Sequence, residues 1–275
     1  MSTVFNFTFV PWFRSVAPYI HKFRHQTFVV GITGEAIAAG KLQGIVQDLA
    51  LIQAMGVKIV LIHGFRPQVN EQLRIKGHEP QYYNGVRITD SVALDCAQEA
   101  AGQLRFEIEA AFSQGLPNTP MAGARVRVIS GNFLTARPVG IVNGVDFMHS
   151  GLVRKVDGEG IRRALESEAM VLISPFGFSP TGEAFNLGME EVATRVACEL
   201  KADKLIFLTE VPGVRAKPHR PAAFWPSCHP HSGLPTQAFT CSTACVPAST
   251  AWNAATSCPL PLTAPCCWKS MCTMA

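Results

Sequence analysis

The chain has 275 residues, of which 48% are hydrophobic and 16% charged, and its formal net charge is +4. This length and apolar content suffice for one α/β domain of about 200 to 250 residues or for two small domains. The charge is mild and unclustered, which argues against nucleic acid or an anionic membrane surface as a partner.

The longest apolar stretches have only the length of β-strands. Val57 to Ile62 and Ala169 to Ile173 fall far short of the ~20 residues that span a bilayer. The N-terminal segment is rich in aromatic residues and lacks the small-residue cleavage site of a signal peptide. We therefore expect a cytoplasmic protein without membrane contact.

The predicted elements alternate between strands and helices along residues 27 to 209. Strands are predicted at Thr27 to Ile32, Lys58 to Ile62, Val126 to Ile129, Met170 to Ser174 and Lys204 to Thr209. Helices are predicted at Lys41 to Met55, Gln68 to Lys76, from a cap at Thr89 or Asp90 to about Gln114, Asp157 to Ser167 and Met189 to Lys201. Gly34 is placed on a short turn, and Asn143-Gly144 on a hairpin within the strand-and-turn segment Phe133 to Val156. This alternation predicts an α/β sandwich with a mainly parallel sheet covered on both faces.

The composition changes sharply near residue 211. Of the nine cysteines only Cys96 and Cys198 precede residue 216, and no Asp or Glu occurs from Val211 onward. Nine prolines follow residue 215. We expect residues 216–275 to be disordered, because such a segment has little with which to build a core.

Five segments, in this order, resemble the amino-acid kinase family and especially acetylglutamate kinase and its non-kinase relative. They are FVVGITGEAI (28–37), LIHGFRPQVN (61–70), NGVRITD (84–90), ISPFGFSPTGEAFNLGMEEVA (173–193) and KLIFLTEVPGV (204–214). The resemblance implies an amino-acid-kinase-like domain at residues 27–215, built as a three-layer αβα sandwich and incomplete at its C-terminal end. Residues 1–26 then form an N-terminal helical arm.

The sequence departs from the kinase motifs at positions that phosphoryl transfer needs. These positions supply positive charge and a glycine-rich loop whose backbone N–H groups bind the phosphate. Gly31 stands where the resembling kinases carry a phosphate-binding lysine, and their HGGGP loop is here HGFRP, with Phe65 and Arg66. Glu190 replaces the organising aspartate of the kinase motif, and a further kinase lysine beyond VPGV has no counterpart. We therefore expect no kinase activity.

These substitutions resemble those of the N-acetylglutamate synthase family. That resemblance implies an amino-acid N-acetyltransferase of the first step of arginine biosynthesis, with glutamate and acetyl-CoA as substrates and arginine as feedback effector. Acetyl transfer in that family belongs to a separate C-terminal domain of roughly 150 residues, which nothing here resembles. The expectation is a regulatory domain without catalytic residues, metal or cofactor of its own, in a homo-oligomer. Two alternatives stay open: an acetylglutamate kinase-type phosphotransferase, and a non-catalytic module for arginine binding or oligomerisation.

The resemblance implies two groups of site residues. The ligand cleft would contain Gly34, Gly64, Arg66, Arg87, Asn186 and Glu190. The arm would contribute Tyr19, Lys22, Phe23 and Arg24, either to an arginine site or to an oligomer contact. Guanidinium groups bind carboxylates bidentately, although exposed arginines are more often only solvated. His63, at a strand end, is expected to be structural.

The tail also agrees with translation in a shifted frame. If the third base of each codon is joined to the first two bases of the next, Cys266-Cys267-Trp268-Lys269 must encode Leu-Leu-Glu. Met271-Cys272 must then encode Val, and Met274-Ala275 must encode Gly. The stretch from Leu262 permits DGALLLEVYVHDG, the phrase expected where a synthase passes from its kinase-like to its acetyltransferase domain. A zinc or disulfide module is the alternative, but the spacing of the tail's Cys and His residues lacks paired ligands.

Overall fold

The computed structural model of the protein describes residues 9–114, 126–209 and 245–247. Its helices are α1 Phe9–Phe23, α2 Gly34–Ala38, α3 Leu42–Ala54, α4 Arg66–Ile75, α5 Ser91–Ser113, α6 Gly158–Glu166 and α7 Met189–Leu200. Its strands are β1 Thr27–Ile32, β2 Lys58–His63, β3 Tyr82–Tyr83, β4 Val86–Arg87, β5 Val128–Ser130, β6 Leu134–Pro138, β7 Ile141–Val142, β8 Val145–Asp146, β9 Gly151–Val156, β10 Met170–Ile173, β11 Phe176–Phe178, β12 Ala184–Asn186, β13 Lys204–Thr209 and β14 Cys245–Pro247.

The largest sheet is parallel throughout. Its strand order is β14-β13-β1-β2-β10-β5, and each neighbouring pair runs in the same direction. A smaller sheet has the order β12-β11-β6-β9, and two hairpins pair β3 with β4 and β7 with β8. Apolar residues fill β1, β2 and β10, as expected for strands covered on both faces.

Two apolar cores lie on opposite faces of the parallel sheet. Phe28, Val30 and Ile32 of β1 pack with residues of α2, α3, α4 and α5 on one face. Val29 packs on the other face with residues of α6, α7 and the small sheet. Because successive residues of a strand point to opposite faces, one apolar strand supplies both cores. The predicted three-layer α/β sandwich is confirmed.

Turn and cap residues explain where several elements begin and end. The carboxylate of Asp90 accepts a hydrogen bond from the backbone N–H of Ala93 at 2.8 Å and caps α5. Gly56 follows α3 with φ +89°, a value that glycine adopts without strain. Asn143 and Gly144 have φ of +52° and +79°, so the predicted hairpin is confirmed.

Two local features differ from the prediction. Gly34 lies in the first turn of the five-residue helix α2, capped by the Thr33 hydroxyl, and not on a turn. The β3–β4 hairpin, which turns at Asn84 and Gly85, was not predicted. A single helical turn and two-residue strands are too short to produce a hydrophobic period, although Asn84-Gly85 is the same turn dipeptide as Asn143-Gly144 and could have indicated the hairpin.

The two ends of the chain are described only in part. Helix α1 lies within the segment expected to form the helical arm, and its Pro18 is accommodated inside the helix. Within residues 216–275 only Cys245–Pro247 is described, and it pairs with β13 at the edge of the sheet. The predicted disorder of the tail otherwise lies outside the described residues. Among the described helices, none is both long and apolar enough to cross a bilayer.

Candidate ligand cleft

The carboxyl ends of β1, β2 and β10 lie side by side at one edge of the parallel sheet. Thr33 and Gly34 follow β1, Gly64 and Phe65 follow β2, and Ser174 follows β10. Open α/β sheets bind their ligands outside the carboxyl ends of the strands. The structure thus places Gly34 and Gly64 at the edge where a ligand cleft is expected.

The loops after β1 and β2 touch each other at these two glycines. The Gly64 N–H donates to the Ile32 carbonyl at 2.7 Å, and a Cβ on Gly64 would lie 2.9 Å from the Gly34 nitrogen. A Cβ on Gly34 would lie 2.7 Å from Pro67 Cδ. Both positions therefore need glycine because the two loops approach each other closely. This packing explains the two glycines without any ligand.

Phe65 and His63 fill the space behind this loop. Phe65 is only 5% exposed, and its ring centre lies 6.1 Å from that of His63. His63 is fully buried, and its Nε2 forms a 2.8 Å hydrogen bond with Ser174 Oγ. Burial lowers the pKa of His63 to about 4, opposed by a smaller backbone contact with Gly64. His63 is therefore neutral at pH 7 and ties two strand ends together, in agreement with the structural role predicted for it.

The position of Gly31 has no room for a side chain. A Cβ there would lie 2.7 Å from Phe207 Cδ1 and 2.9 Å from Met189 Sδ. Both neighbours belong to the buried core on the α7 side of the sheet. A lysine at this position would have to displace packed apolar groups. The lysine that the resembling kinases carry here therefore does not fit this structure.

A buried guanidinium lies beside the loop, on the β3–β4 hairpin. Arg87 is 8% exposed, and its Nη2 donates to Asn70 Oδ1 at 2.6 Å. The Tyr82 hydroxyl donates to the same Asn70 oxygen at 2.8 Å, and the Arg87 Cζ lies 4.9 Å from the centre of the Tyr82 ring. Arg66, which is exposed, approaches the same ring with its Cζ at 6.0 Å. The structure brings Arg66 and Arg87 together with Asn70 and Tyr82, and their role in a ligand cleft stays a prediction.

This pair of arginines has no carboxylate partner among the described residues. The buried Nη1 of Arg87 also lacks a hydrogen-bond partner there. Burial lowers the pKa of the Arg87 guanidinium. Tyr82 opposes this shift electrostatically, and repulsion from Arg66 adds a smaller lowering. An anion that reaches Arg87 would relieve this cost, and a carboxylate matches the fork of a guanidinium.

Asn186 and Glu190 occupy different environments. Asn186 is half-buried at the end of β12, and its Nδ2 donates to Thr89 Oγ1 at 3.2 Å. Glu190 lies exposed in the first turn of α7, whose N-cap is Gly188. Neither residue caps the helix through its side chain. Asn186 is connected to the Arg87 region through Thr89, whereas no described contact connects Glu190 to it.

The arm residues lie at the opposite end of β1. The Phe23 ring packs edge-on against Phe28 at 5.7 Å, and the Lys204 Nζ lies 4.0 Å from the centre of the Phe23 ring. Tyr19 stacks on Phe23 at 6.4 Å, while Lys22 is exposed. Since five residue steps of a strand span roughly 16 Å, the arm and the cleft form two separate regions.

Arg24 completes the attachment of the arm to the domain. Its side chain passes under Gly56, where an added Cβ would lie 2.9 Å from Arg24 Cγ. His25, with φ +66°, donates its N–H to the Gly56 carbonyl at 2.7 Å. Phe23 and Arg24 therefore hold α1 to its own domain.

The fold is an α/β domain with two arginines beside the loops at the carboxyl edge of its parallel sheet and with no room for a lysine side chain at position 31. Residues 26–223 match the family model described as the amino acid kinase family, and the chain belongs to that family.

The curated relatives and solved structures narrow the comparison. The chain is 63% identical over 206 residues to an amino-acid acetyltransferase of Ralstonia nicotianae, covering 75% of this chain and 46% of that protein. It is 48% identical over 206 residues to an amino-acid acetyltransferase of Azotobacter vinelandii, covering 75% and 48%. N-acetylglutamate synthase from Neisseria gonorrhoeae, solved with coenzyme A and L-arginine, superposes with a TM-score of 0.71 at 38% identity, covering 75% of this chain and 49% of that one. The chain is thus a homologue of N-acetylglutamate synthases and spans about half the length of the curated relatives it matches.

Proposed function

We propose that the chain represents the kinase-like, regulatory half of an N-acetylglutamate synthase. In this proposal, transfer of acetyl from acetyl-CoA to glutamate is carried out by a separate acetyltransferase domain, and the chain alone does not perform it. The names of the relatives support the reaction, and the extent of the match, which covers about half of each relative, supports the division of labour. The proposal places the protein in the cytoplasm, in the first step of arginine biosynthesis.

The observation that carries the proposal is the closed position of Gly31. Phosphoryl transfer depends on cations and backbone N–H groups around the migrating phosphate. Here Phe207 and Met189 occupy the space beside Gly31, and the buried Phe65 stands within the former glycine-rich loop. The structure therefore favours a binding role over the kinase alternative.

We further propose that arginine is the effector and that the arm contributes to its site or to a homo-oligomer contact. The support is that the Neisseria structure contains L-arginine at 38% sequence identity. Tyr19 and Lys22 are exposed on α1, which is compatible with either role. The cleft with Arg66 and Arg87 is proposed as a separate carboxylate site, with Asn186 beside it and with Glu190 at its outer margin.

The tail is proposed to be out of frame from about residue 216. Its lack of acidic residues and the forced Leu-Leu-Glu, Val and Gly codons support this proposal. Sequencing the DNA across codons 205 to 275 and beyond tests it. A single inserted or deleted base that restores DGALLLEVYVHDG is the expected result, whereas an uninterrupted frame as written would contradict it.

The functional experiment combines three assays on the purified chain. We expect no phosphorylation of N-acetylglutamate by ATP and no acetylglutamate formation from acetyl-CoA and glutamate. We expect saturable arginine binding in calorimetry, with Tyr19→Ala and Lys22→Ala as arm variants and Arg87→Met as the cleft control. ATP-dependent phosphorylation would support the kinase alternative. Acetyl transfer by the chain alone would contradict the division of labour.

A further inference from the structure

Arg87 and Asn186, which lie in two different sequence motifs, are joined by a short series of buried hydrogen bonds through Thr89 and Ser150. Ser150 Oγ lies 2.6 Å from the Arg87 carbonyl oxygen and 2.8 Å from Thr89 Oγ1. Asn186 Nδ2 lies 3.2 Å from the same Thr89 oxygen. Thr89 is fully buried and Ser150 is 3% exposed, so water does not compete for these bonds. We call Thr89 and Ser150 the hydroxyl relay.

The backbone brings the three segments of this relay together. His149 donates its N–H to the Thr89 carbonyl at 2.9 Å, and Asn186 donates its N–H to the His149 carbonyl at 2.9 Å. Isolated bridges also pair Thr89 with Met148 and Ser150 with Asn186. The β3–β4 hairpin and β12 are therefore held against the same short stretch of chain, although they are distant in sequence.

The position of each hydroxyl proton follows from what each atom can donate. A carbonyl oxygen only accepts, so the single Ser150 proton must point to the Arg87 carbonyl at 2.6 Å. The 2.8 Å contact between the two hydroxyls then requires the Thr89 proton. Ser150 Oγ also accepts the Thr89 N–H at 3.1 Å, which uses its second lone pair. Thr89 Oγ1 consequently faces Asn186 as an acceptor.

This order determines the orientation of the Asn186 amide. Only the NH₂ group can face the Thr89 oxygen, because the amide oxygen would place two acceptors 3.2 Å apart. The Asn186 oxygen therefore points away from the relay, and it has no partner among the described residues. The Asn186 oxygen is therefore an unused acceptor among the described residues, whereas the Arg87 Nη1 is an unused donor.

We propose that Thr89 and Ser150 are positioning residues that fix the Arg87 backbone and turn the carbonyl group of Asn186 outward. This inference rests on the proposed carboxylate cleft, because the hydroxyl relay would determine which atoms of Arg87 and Asn186 that cleft presents to a ligand. A ligand anchored by its carboxylate on Arg87 gains from Asn186 only if it carries an N–H or O–H donor. Loss of the relay frees the amide to rotate and removes this selectivity.

The first test measures the relay without any ligand. In ¹⁵N-labelled full chain, the Asn186 side-chain NH₂ signals are assigned by Asn186→Asp. Thr89→Val keeps the shape of the side chain but removes the hydroxyl, and we expect Asn186 NH₂ exchange with water to accelerate at least tenfold. Thr89→Ser should restore slow exchange. Thr194→Val, which removes a hydroxyl bound to the Glu190 carbonyl, is the matched control and should leave Asn186 unchanged.

Two outcomes would overturn the proposal. One is an unchanged Asn186 exchange rate in Thr89→Val, and the other is failure of Thr89→Ser to rescue it. Ser150→Ala provides a second variant and should accelerate the exchange less than Thr89→Val, because Thr89 Oγ1 remains as the acceptor but loses its anchor, so that misfolding of one variant does not decide the result.

A separate titration with N-acetyl-L-glutamate addresses the cleft. Thr89→Val should weaken its binding at least fivefold while Thr194→Val does not. If the parent chain does not bind this probe, the carboxylate function of the cleft fails, while the orientation of Asn186 is still decided by the exchange measurement.

Discussion

At Gly31, neighbouring side chains fill the space that a side chain at this position would need. The residue is the fifth of the six residues of β1, and a glycine inside a strand normally weakens the strand and invites a packing explanation. Phe207 of β13 and Met189 of α7 supply that explanation, because both fill the space above it. Packing of the core around Gly31 thus leaves no room for a lysine side chain at this position.

Gly31→Ala tests this packing. A Cβ 2.7 Å from Phe207 Cδ1 forces rearrangement of the core, and we expect the free energy of unfolding to fall by about 2 kcal/mol. Denaturation in urea measures the change. Gly102→Ala in α5 is the control, since nothing lies within 4 Å of its added Cβ. That control should stabilise the helix by up to about 1 kcal/mol. Equal effects of the two changes would contradict the packing interpretation.

Burial of His63 makes the stability of the folded protein depend on pH. Its folded-state pKa of about 4 lies below the ordinary value of 6.5. The unfolded chain therefore takes up the proton first as the pH falls, and stability is lost between about pH 6.5 and 4. The shift corresponds to about 3 kcal/mol once the pH is below both values.

His63→Gln is expected to remove this part of the acid sensitivity. The amide does not titrate and retains a group able to bond to Ser174. Unfolding free energies at pH 7.5, 6.5, 5.5 and 4.5 should decline less steeply in the variant than in the parent. His21→Gln on the exposed face of α1 is the matched control. A parallel decline in parent and variant would show that His63 does not carry the effect.

At the scale of elements, the β3–β4 hairpin positions the cleft arginine. It consists of two residues in each strand and turns at Asn84 and Gly85, with φ of +50° and +80°. Tyr82 and Arg87 pair across it, and both reach the same oxygen of Asn70 on α4. The element has little stability of its own, so its contacts with α4 and the hydroxyl relay hold it in place.

Gly85→Ala tests the role of this hairpin against a matched one. Both Gly85→Ala and Gly144→Ala place alanine at positive φ, of +80° and +79° respectively. Each should cost about 1 to 2 kcal/mol of stability. Only Gly85→Ala should also weaken binding of N-acetyl-L-glutamate, because only that hairpin carries Arg87. Calorimetric titration of the two variants makes the comparison. Equal weakening by both would mean that the effect is general.

At the scale of the whole molecule, an apolar groove lies on the α3 side of the parallel sheet, next to β13. Its volume of about 40 Å³ is lined by Phe28, Val30, Ile45, Asp48, Leu49, Ile52, Ile59, Ile206 and Leu208. Burial raises the pKa of Asp48, and the carboxylate has no partner among the described residues. Most of its lining residues are buried, and Ile52 and Ile206 are only partly buried, so the groove is a small gap in the apolar packing beside β13.

We expect the partly buried apolar side chains at this groove, Ile52 and Ile206, to give the chain poor colloidal behaviour. We expect self-association in light scattering, since exposed apolar patches promote aggregation. We also expect a several-fold rise in fluorescence of an apolar dye under native conditions. Ile206→Gln, at the groove, should reduce the dye signal, whereas Ile141→Gln, on the exposed β7–β8 hairpin, should not. A monodisperse chain with a cooperative thermal transition and no dye binding would contradict this prediction.

Much of the domain could be predicted from its sequence because the signals are local and repeated. The apolar runs of β1, β2, β10 and β13 indicate buried parallel strands, and the period of α3 indicates a helix ended by Gly56. These elements agree with the structure within one or two residues. The motif with HGFRP also led to Gly64 and Arg66 at the carboxyl edge of the sheet.

The remaining parts of the site were decided by tertiary structure alone. Tyr82 and Asn70 carry no motif, yet they hold Arg87 because the hairpin folds over α4. Thr89, Ser150 and Asn186 lie 61 and 97 positions apart, so their hydrogen bonds leave no periodic trace in the sequence. Hydrophobic period and turn chemistry act between near neighbours, and they determined the strands, the helices and their order. The atoms that the cleft presents depend on contacts between distant segments, which only the folded chain brings within bonding distance.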